Sequence, residues 1–310
     1  MKSIRQWFDN GEADLSVAEL GNADTGVDWL RVIPFLIMHL ACLAVIFVGI
    51  SSIAVAVAVA LYLIRMFAIT AFYHRYFSHK SFKTSRTVQF VFAFIGATAT
   101  QRGPLWWAAH HRQHHRHADQ SADPHSPKQG FFWSHMGWFL SGKHYQADYS
   151  LVLDWKRFAE LRWLDRFDLI APIVLAASLF ISGVLLEKFA PGLGTNGWQM
   201  LVWGYFISTV VLLHATLLIN SMAHRVGKKR YTTGDESRNN FVLALLTLGE
   251  GWHNNHHHYP ASARQGFYWW EVDISYYLLK LMQKTGLIWD VRTVPLHKRE
   301  SKKVLSEAAL

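Results

Sequence analysis

The run from Val32 to Tyr73 constrains this chain most: it is almost wholly apolar and carries one Lys, Arg, Asp or Glu, Arg65. A hydrocarbon core takes roughly 20 apolar residues per helix, so the run is long enough for two crossings. Gly49-Ile50-Ser51-Ser52 is a turn-forming stretch inside it, which predicts helices over 32–50 and 53–75 joined by a tight connection. A second pair follows. Leu169 to Leu186 and Gln199 to His224 contain no Asp, Glu, Lys or Arg, and the connection between them holds Pro191, Gly192, Gly194 and Gly197. The expected fold class is an all-α integral membrane protein, with four transmembrane helices in two hairpins.

The basic residues orient those helices. Lys and Arg number 3 up to Arg31, 13 in 74–167 and 13 in 225–310, and the two hairpin tips hold none. Basic residues concentrate on the cytoplasmic side, so both termini and the central loop are expected there. The chain then divides into an N-terminal segment 1–31, a hairpin 32–75, a cytoplasmic and interfacial region 76–167, a second hairpin 168–224, and a cytoplasmic region with tail 225–310. The net charge of +9 is mostly a record of this topology. Basic residues flank apolar spans instead of forming one stripe, so no nucleic-acid partner is expected. Six acids in the first 31 residues argue against a cleaved basic leader, and the expected location is a membrane, as in a bacterial inner membrane. A single Cys, Cys42, excludes an internal disulfide and a self-contained iron–sulfur centre. The apolar part of 87–107 is short for a span and is expected to lie in the interface or to re-enter. Leu151 to Phe167 reads as an amphipathic helix, on the membrane surface or on the cytoplasmic part.

Eighteen histidines hold the mean hydropathy near zero, and they are clustered. His74 and His79 close the second expected span. His110, His111, His114, His115 and His117 crowd the central loop, His224 ends the fourth span, and His253, His256, His257 and His258 follow it. On a helix, residues i, i+3 and i+4 share a face. His111, His114 and His115 satisfy that spacing, as do His253, His256 and His257, so each HxxHH is a face of three imidazoles. His74 and His79 are five apart and converge only if the helix frays or bends. Imidazole suits Fe, Zn, Cu and Ni. Eight histidines in three boxes exceed what one metal holds, so two metals are implied, with His224 as a ninth candidate ligand. His110, His117 and His258 adjoin the boxes but break their spacing and are read as flanking groups. His39 and His214, alone in the spans, are read as hydrogen-bonded packing. A structural zinc site uses about four ligands, often Cys, and a transporter places its ligands or acids at the midplane. Ligands at the membrane–cytosol boundary instead suit a redox site acting on a lipid.

Together these boxes resemble the membrane-bound fatty acid desaturases, and their context is similar to the acyl-CoA/Δ9-type, stearoyl-CoA desaturase-like branch. Asn220-Ser221-Met222-Ala223-His224 resembles the N-S-x-x-H element of that branch. Gly249-Glu250-Gly251-Trp252-His253-Asn254-Asn255-His256-His257 resembles its G-E-G-x-H-N-x-H-H box. Asp123-Pro124-His125-Ser126 and the later Gly130 to Trp138 resemble its D-P-H and G-F-x-x-S-H-x-G-W segments. The likeness runs from about residue 60 to 275 and rests on several motifs at once.

The resemblance implies four spans carrying a cytoplasmic histidine-rich cap that holds two Fe ions. The implied ligands are His74, His79, His111, His114, His115, His224, His253, His256 and His257, with Asn220 holding a metal-bound water. It implies that O2 and two externally supplied electrons remove two hydrogens from adjacent methylenes of a saturated long-chain acyl group, leaving a cis double bond, at Δ9 in this branch. Tyr62 and Met66, on the second span, are the implied residues at the end of the acyl tunnel. Acyl-CoA members of the family from animals and fungi read Arg-Asp before the second box, where this chain has Ala109-His110, and Arg-Lys where it has Gly142-Lys143. Arg is the better bidentate phosphate ligand, so the substitution favours an acyl group linked to membrane lipid over acyl-CoA. The His-Pro-Gly-Gly motif of a fused cytochrome b5 domain does not occur. Electrons are therefore expected from a separate donor of ferredoxin or cytochrome b5 type with its reductase, attracted to the basic face. Two readings compete: a three-box membrane hydroxylase or ketolase acting on alkane, sterol or carotenoid, and a non-enzymatic metal-binding membrane protein.

Overall fold

The computed structural model describes residues 7–11 and 26–304. The rest of the expected N-terminal segment, 1–6 and 12–25, and the last residues of the tail, 305–310, lie outside the described residues. Among those described, 3 helices are long and apolar enough to cross a membrane: Ser52–Ser78, Ile170–Phe189 and Gly197–Met222. The first expected span is a helical run with a shorter apolar part, Val32–Val48. It passes from α-helix Trp29–Ala41, with Pro34 inside, through a 3-10 turn at Cys42–Ala44 to Val45–Val48. Gly49 then adopts φ +69°, open to glycine at little cost, and Ser51 caps the next helix by accepting from the Ala54 N–H.

Close packing between the last two long helices depends on glycine. A Cβ on Gly183 would lie 2.7 Å from the Gly197 Cα, so the absence of side chains lets the two backbones approach. Arg65 is buried within its helix and has several acceptors: Leu61 O at 3.1 Å, Thr98 O at 3.2 Å, Thr209 Oγ1 at 2.7 Å, and Ser208 Oγ. An ionised group in an apolar segment is expensive unless its donors are satisfied. Here those bonds tie the second span to the Ser208–Met222 helix.

The expected interfacial stretch 87–107 is divided. Arg86–Ala97 is one helix, capped by Ser85, and Pro104–His117 is another. Thr100 and Arg102, both at positive φ, turn the chain between them. Pro104 stands in the first turn, where no N–H is needed. The Asp165 carboxylate accepts from the Leu105 and Trp106 N–H groups, each at 2.9 Å, and so caps this helix from a distance. The expected single helix over 151–167 is instead two short ones, Leu153–Lys156 and Ala159–Arg166, with a break at Arg157 and Phe158. Trp155, Leu161 and Leu164 are buried in the main core, so this stretch is packed structure with Trp163 left exposed.

That core is built on the inner end of Ser52–Ser78, whose residues Ala68–Ser78 are all buried. A two-stranded antiparallel pair, Lys83–Thr84 with Ile288–Trp289, joins the chain just beyond it to the C-terminal part. Arg75 makes the second tie. Its guanidinium meets Glu250 Oε1 at 3.0 Å and Asp273 Oδ1 at 2.9 Å, and donates to Ala263 O at 2.7 Å, with all three side chains buried. Removing one partner of a buried ion pair leaves an uncompensated charge, at about 3–5 kcal/mol. Arg75→Met is therefore expected to lower the thermal unfolding midpoint of the detergent-solubilised protein markedly, whereas Lys83→Met, at an exposed pair with Asp290, is expected to leave it nearly unchanged.

Candidate metal centre

The second span changes its winding where it delivers histidines. From Ala68 to Ser78 it is π-helical, with bonds from i to i+5. Residues five apart then stack, and the His74 and His79 rings lie 4.9 Å apart. This wider winding resolves the spacing that an α-helix could not accommodate. His111, His114 and His115 come from Pro104–His117, His253, His256 and His257 from His253–His258, and His224 lies just past Met222.

The nine fall into two groups, each with ring nitrogens within 4.8 Å of one another. One is His74, His79, His111, His115 and His256; the other is His114, His224, His253 and His257. Each HxxHH box therefore divides. The i,i+4 pair goes to one group (His111 with His115, His253 with His257), and the remaining histidine, His114 or His256, goes to the other. Two short helices exchanging one imidazole each hold the groups side by side.

All nine point the same nitrogen inward. Nε2–Nε2 separations are 3.0 Å for His74–His256, 2.9 Å for His79–His111, 2.9 Å for His115–His256, 3.0 Å for His224–His253 and 3.4 Å for His114–His257. The opposite nitrogens of four rings face carboxylates. His114 Nδ1 is 3.0 Å from Asp123, His224 Nδ1 is 3.0 Å from Asp119, His257 Nδ1 is 2.7 Å from Asp235, and His74 Nδ1 pairs with Glu250. A carboxylate accepts, so each neutral ring puts its proton on Nδ1 and leaves a lone pair on Nε2. While both are neutral, His114 and His257 are held this way, and their facing nitrogens have no proton to share. A cation between the lone pairs resolves that conflict. Carboxylate–imidazole pairing behind a ligand is the usual support of a metal site, and imidazole donors fit iron among other borderline ions.

Electrostatics keep most of the set ready to bind. Burial, then neighbouring imidazoles, push His79, His111, His115, His253 and His256 well below the ordinary histidine value. His257 is lowered to about 4, burial outweighing Asp235. His114 goes the other way: burial lowers it, but Asp123, Asp119 and Asp235 together raise it. Asp123 and Asp235 are held below the usual carboxylate range because the attraction of their histidines exceeds the cost of burial.

The sequence reading did not single out these four carboxylates. Glu250 stands inside the third box, and Asp119 and Asp123 follow the second by a few residues. Asp235 had no spacing signal. His39 and His214 are packing groups, as expected, but they pack on each other. Their Nε2 atoms are 3.0 Å apart, and His214 Nδ1 lies 3.0 Å from His135 Nε2. Of the flanking histidines, His258 stacks on Tyr231 at 4.0 Å and lies outside both groups.

Two clefts meet at the centre. The outer, about 220 Å³, is lined by the apolar Phe35, Met38, Leu213 and Leu217 and by the polar Gln101, Arg102 and Tyr145. The inner, about 40 Å³, is lined by Met66, Ile69, Thr70 and Thr247 beside His74, His114, His224 and His253. Trp107, His111, His125, Thr216 and Asn220 border both. Asn220 thus stands at the junction, and Met66 at the inner end. Tyr62 borders neither cleft; its hydroxyl donates to Leu246 O at 2.6 Å.

Two outcomes follow for the centre. Asp235→Asn can present an N–H to His257 Nδ1 and move the ring proton to Nε2. The expected result is a 10- to 100-fold loss of affinity at the second group, read as metal content by mass spectrometry after graded chelation. For pH, the metal-free folded state keeps several histidines neutral while the unfolded chain protonates them near 6.5. The stabilisation is present above that value and is lost as pH falls, by about 1.4 kcal/mol per pH unit for each proton taken up. His114 has the opposite sign but is one ring against six. Unfolding midpoints of metal-free protein are expected to fall from pH 7 to pH 5, and added metal to raise them most at the upper end, where the rings are unprotonated.

A family model described as fatty acid desaturase matches residues 50–287. The chain is 39% identical over 240 residues to an acyl-CoA 5-desaturase of Anemone leveillei, covering 76% of this chain and 70% of the relative. It is 36% identical over 271 residues to an sn-1 stearoyl-lipid 9-desaturase of Anabaena variabilis, covering 86% and 94%. It is 35% identical over 283 residues to an sn-2 palmitoyl-lipid 9-desaturase of a Nostoc species, covering 89% and 94%. With two imidazole groups beside an apolar cleft and a family match over most of its length, this chain belongs to the fatty acid desaturases, a family of oxidoreductases.

Proposed function

We propose that this protein is a dinuclear-iron acyl desaturase that introduces a cis double bond at Δ9 of a saturated long-chain acyl group carried on membrane lipid. The observation that carries this reading is the meeting of two clefts, both bordered by Asn220, at two groups of inward-facing Nε2 atoms. The Δ9 position is supported by the two cyanobacterial relatives named as 9-desaturases, each matched over 94% of its length.

His74, His79, His111, His115 and His256 would hold one ion and His114, His224, His253 and His257 the other. Two iron ions, with O2 and two electrons from outside, supply the oxidising power for removing two hydrogens from adjacent methylenes. The chain's own residues do the rest. Trp107 and Thr216 flank the junction, and Gln101 Nε2 donates to Thr216 Oγ1 at 3.1 Å, fixing the wall there. Asn220 presents its amide to both clefts and orders a water between them. Met66, Ile69 and Thr247 bound the distal end of the acyl chain, while Tyr62 acts from behind through Leu246. The buried apolar walls exclude bulk water from the reacting carbons.

Lipid is favoured as carrier by the charge of the outer cleft. Among the described residues its walls include Asp28 and Asp168 and one Lys or Arg, Arg102, which lies 3.4 Å from Asp168. That lining suits an uncharged ester more than a polyphosphate. Acyl-CoA is the second reading, favoured by the name of the Anemone leveillei relative. The Val32–Val48 helix completes four spans in two hairpins, with both termini and the metal centre cytoplasmic, and a separate ferredoxin or cytochrome b5 supplies the electrons.

The test is gas chromatography–mass spectrometry of fatty acids from a host expressing the chain with iron. A new monounsaturated acid, two hydrogens lighter with its double bond at carbon 9, is expected. His111→Ala, His114→Ala and His256→Ala are each expected to abolish it. A product heavier by one oxygen would replace desaturation with hydroxylation.

A further inference from the structure

The outer cleft contains hydrogen-bond donors that the protein does not use. Trp138 is 6% exposed and His110 is 3% exposed, and both line the cleft. The Trp138 indole Nε1 and both His110 ring nitrogens are buried without a hydrogen-bond partner. His110 lies beside the His144 backbone but completes no bond of ordinary length to it. The Arg102 Nε, on the same cleft, is likewise unpartnered, although the rest of its guanidinium meets Asn10 and Tyr145 O. A buried polar group without a partner costs about 1–3 kcal/mol, and such groups are few in native proteins. Here four side chains along one cleft carry them, His125 at its Nδ1 as well, and each of the four can offer an N–H.

The rings are fixed in place. Trp106 stacks on Trp138 at 5.6 Å with an interplanar angle of 18°, and the His110 ring lies 4.4 Å from Trp106 and 5.4 Å from Trp138. Trp106 and His110 are one turn apart on Pro104–His117, the helix that also bears His111, His114 and His115. What is missing is an acceptor. An apolar alkyl chain supplies none, but the carbonyl oxygen that joins it to its carrier does.

We propose that the Trp138 indole N–H and the His110 imidazole form a carbonyl-binding site in the outer cleft that holds the ester or thioester of the acyl substrate. The inference rests on the reading of the cleft as the acyl site. With the carbonyl anchored here, the walls between Trp138 and Asn220 determine how many methylenes lie between ester and metal centre, and hence where the double bond forms. Arg102, on the same cleft, meets the carrier beyond the ester.

The experiment compares carbonyl-containing ligands with carbonyl-free ones on wild type, Trp138→Phe and His110→Phe. One arm uses a distearoyl glycerophospholipid and its dioctadecyl ether, the other stearoyl-CoA and S-octadecyl-CoA, with binding read by native mass spectrometry of the solubilised protein. Wild type is expected to bind the carbonyl member of one pair roughly 5- to 10-fold tighter, and that pair identifies the carrier. Trp138→Phe keeps the ring and is expected to abolish the preference while retaining metal content. In the expressing host, both variants are expected to spread the product over neighbouring double-bond positions, with KM rising more than kcat falls. Equal preference for the carbonyl ligand in wild type and both variants would overturn the site, as would a carbonyl preference absent from both pairs in wild type. An unchanged single double-bond position would overturn its role as a ruler. Failure of the desaturase reading is separate: wild type with its metals would then make no unsaturated acid at all.

Discussion

Everything in this fold is arranged around imidazole nitrogens that face one another. In His114 and His257 the outward nitrogen donates to a carboxylate, so the inward lone pairs meet at 3.4 Å with nothing of the protein's own between them. Like lone pairs repel, and either a second proton on His114, which its carboxylates favour, or a cation between the rings relieves the contact. The carboxylates that fix the tautomers create the conflict and also prepare the site. A histidine free to rotate or to protonate would relieve the strain and lose the ligand. Metal binding and local folding are therefore linked here, since an ion that satisfies the inward nitrogens stabilises the arrangement that binds it.

The residues between the ligands maintain that arrangement. Asn254 and Asn255 within the third box are buried and face away from the metal groups. The Asn254 Oδ1 accepts from Arg230 N at 2.8 Å and Tyr231 N at 2.7 Å, and the Asn255 amide donates to Gln265 O and Glu271. Asn239 Oδ1 in turn accepts from the N–H groups of both, at 3.0 and 3.1 Å, and so caps the helix His253–His258. A helix of six residues has little stability alone, and these bonds supply it. Glu250 does two jobs: it orients His74 and takes part of the charge of Arg75. The third box is thus tied to the first through one carboxylate.

The sequence exposed the ligands more readily than their supports. The i, i+3, i+4 spacing of His111, His114 and His115 is enough to find a three-imidazole face, and its repetition at His253 implies two metals. It cannot say that each face divides between two groups, because that depends on how two helices cross. His74 and His79 were puzzling under α-helical spacing, and the π-helical winding that brings them together has no signature in Ala68 to Ser78 that propensity could have shown. Long apolar helices were legible for the same reason they are stable, since bilayer thickness sets their length. The first helix, with Pro34 and its 3-10 turn, was less regular than its hydropathy. Asp235, distant from every box, was invisible because carboxylates behind a ligand are placed by tertiary folding and carry no fixed offset.

The walls of the two clefts come from the same helices that carry the histidine groups. Along the Ser208–Met222 helix and just past it, Thr216, Asn220 and the following His224 are spaced four apart, about 6 Å per step along the axis, so cleft wall, amide and imidazole stand in line. Trp107, His111 and His115 repeat that spacing on Pro104–His117. Both ladders place a cleft residue one turn before a histidine of the centre. A site built from helical steps holds its geometry better than one built on loops. A methylene resting between Trp107 and Thr216 would be one turn from His111 on one side and two turns from His224 on the other. With the acyl chain in the cleft as proposed, the two ladders would fix where oxidation occurs along it. Which carbon of the acyl chain reaches that point would then be decided upstream, by where the polar end of the substrate stops.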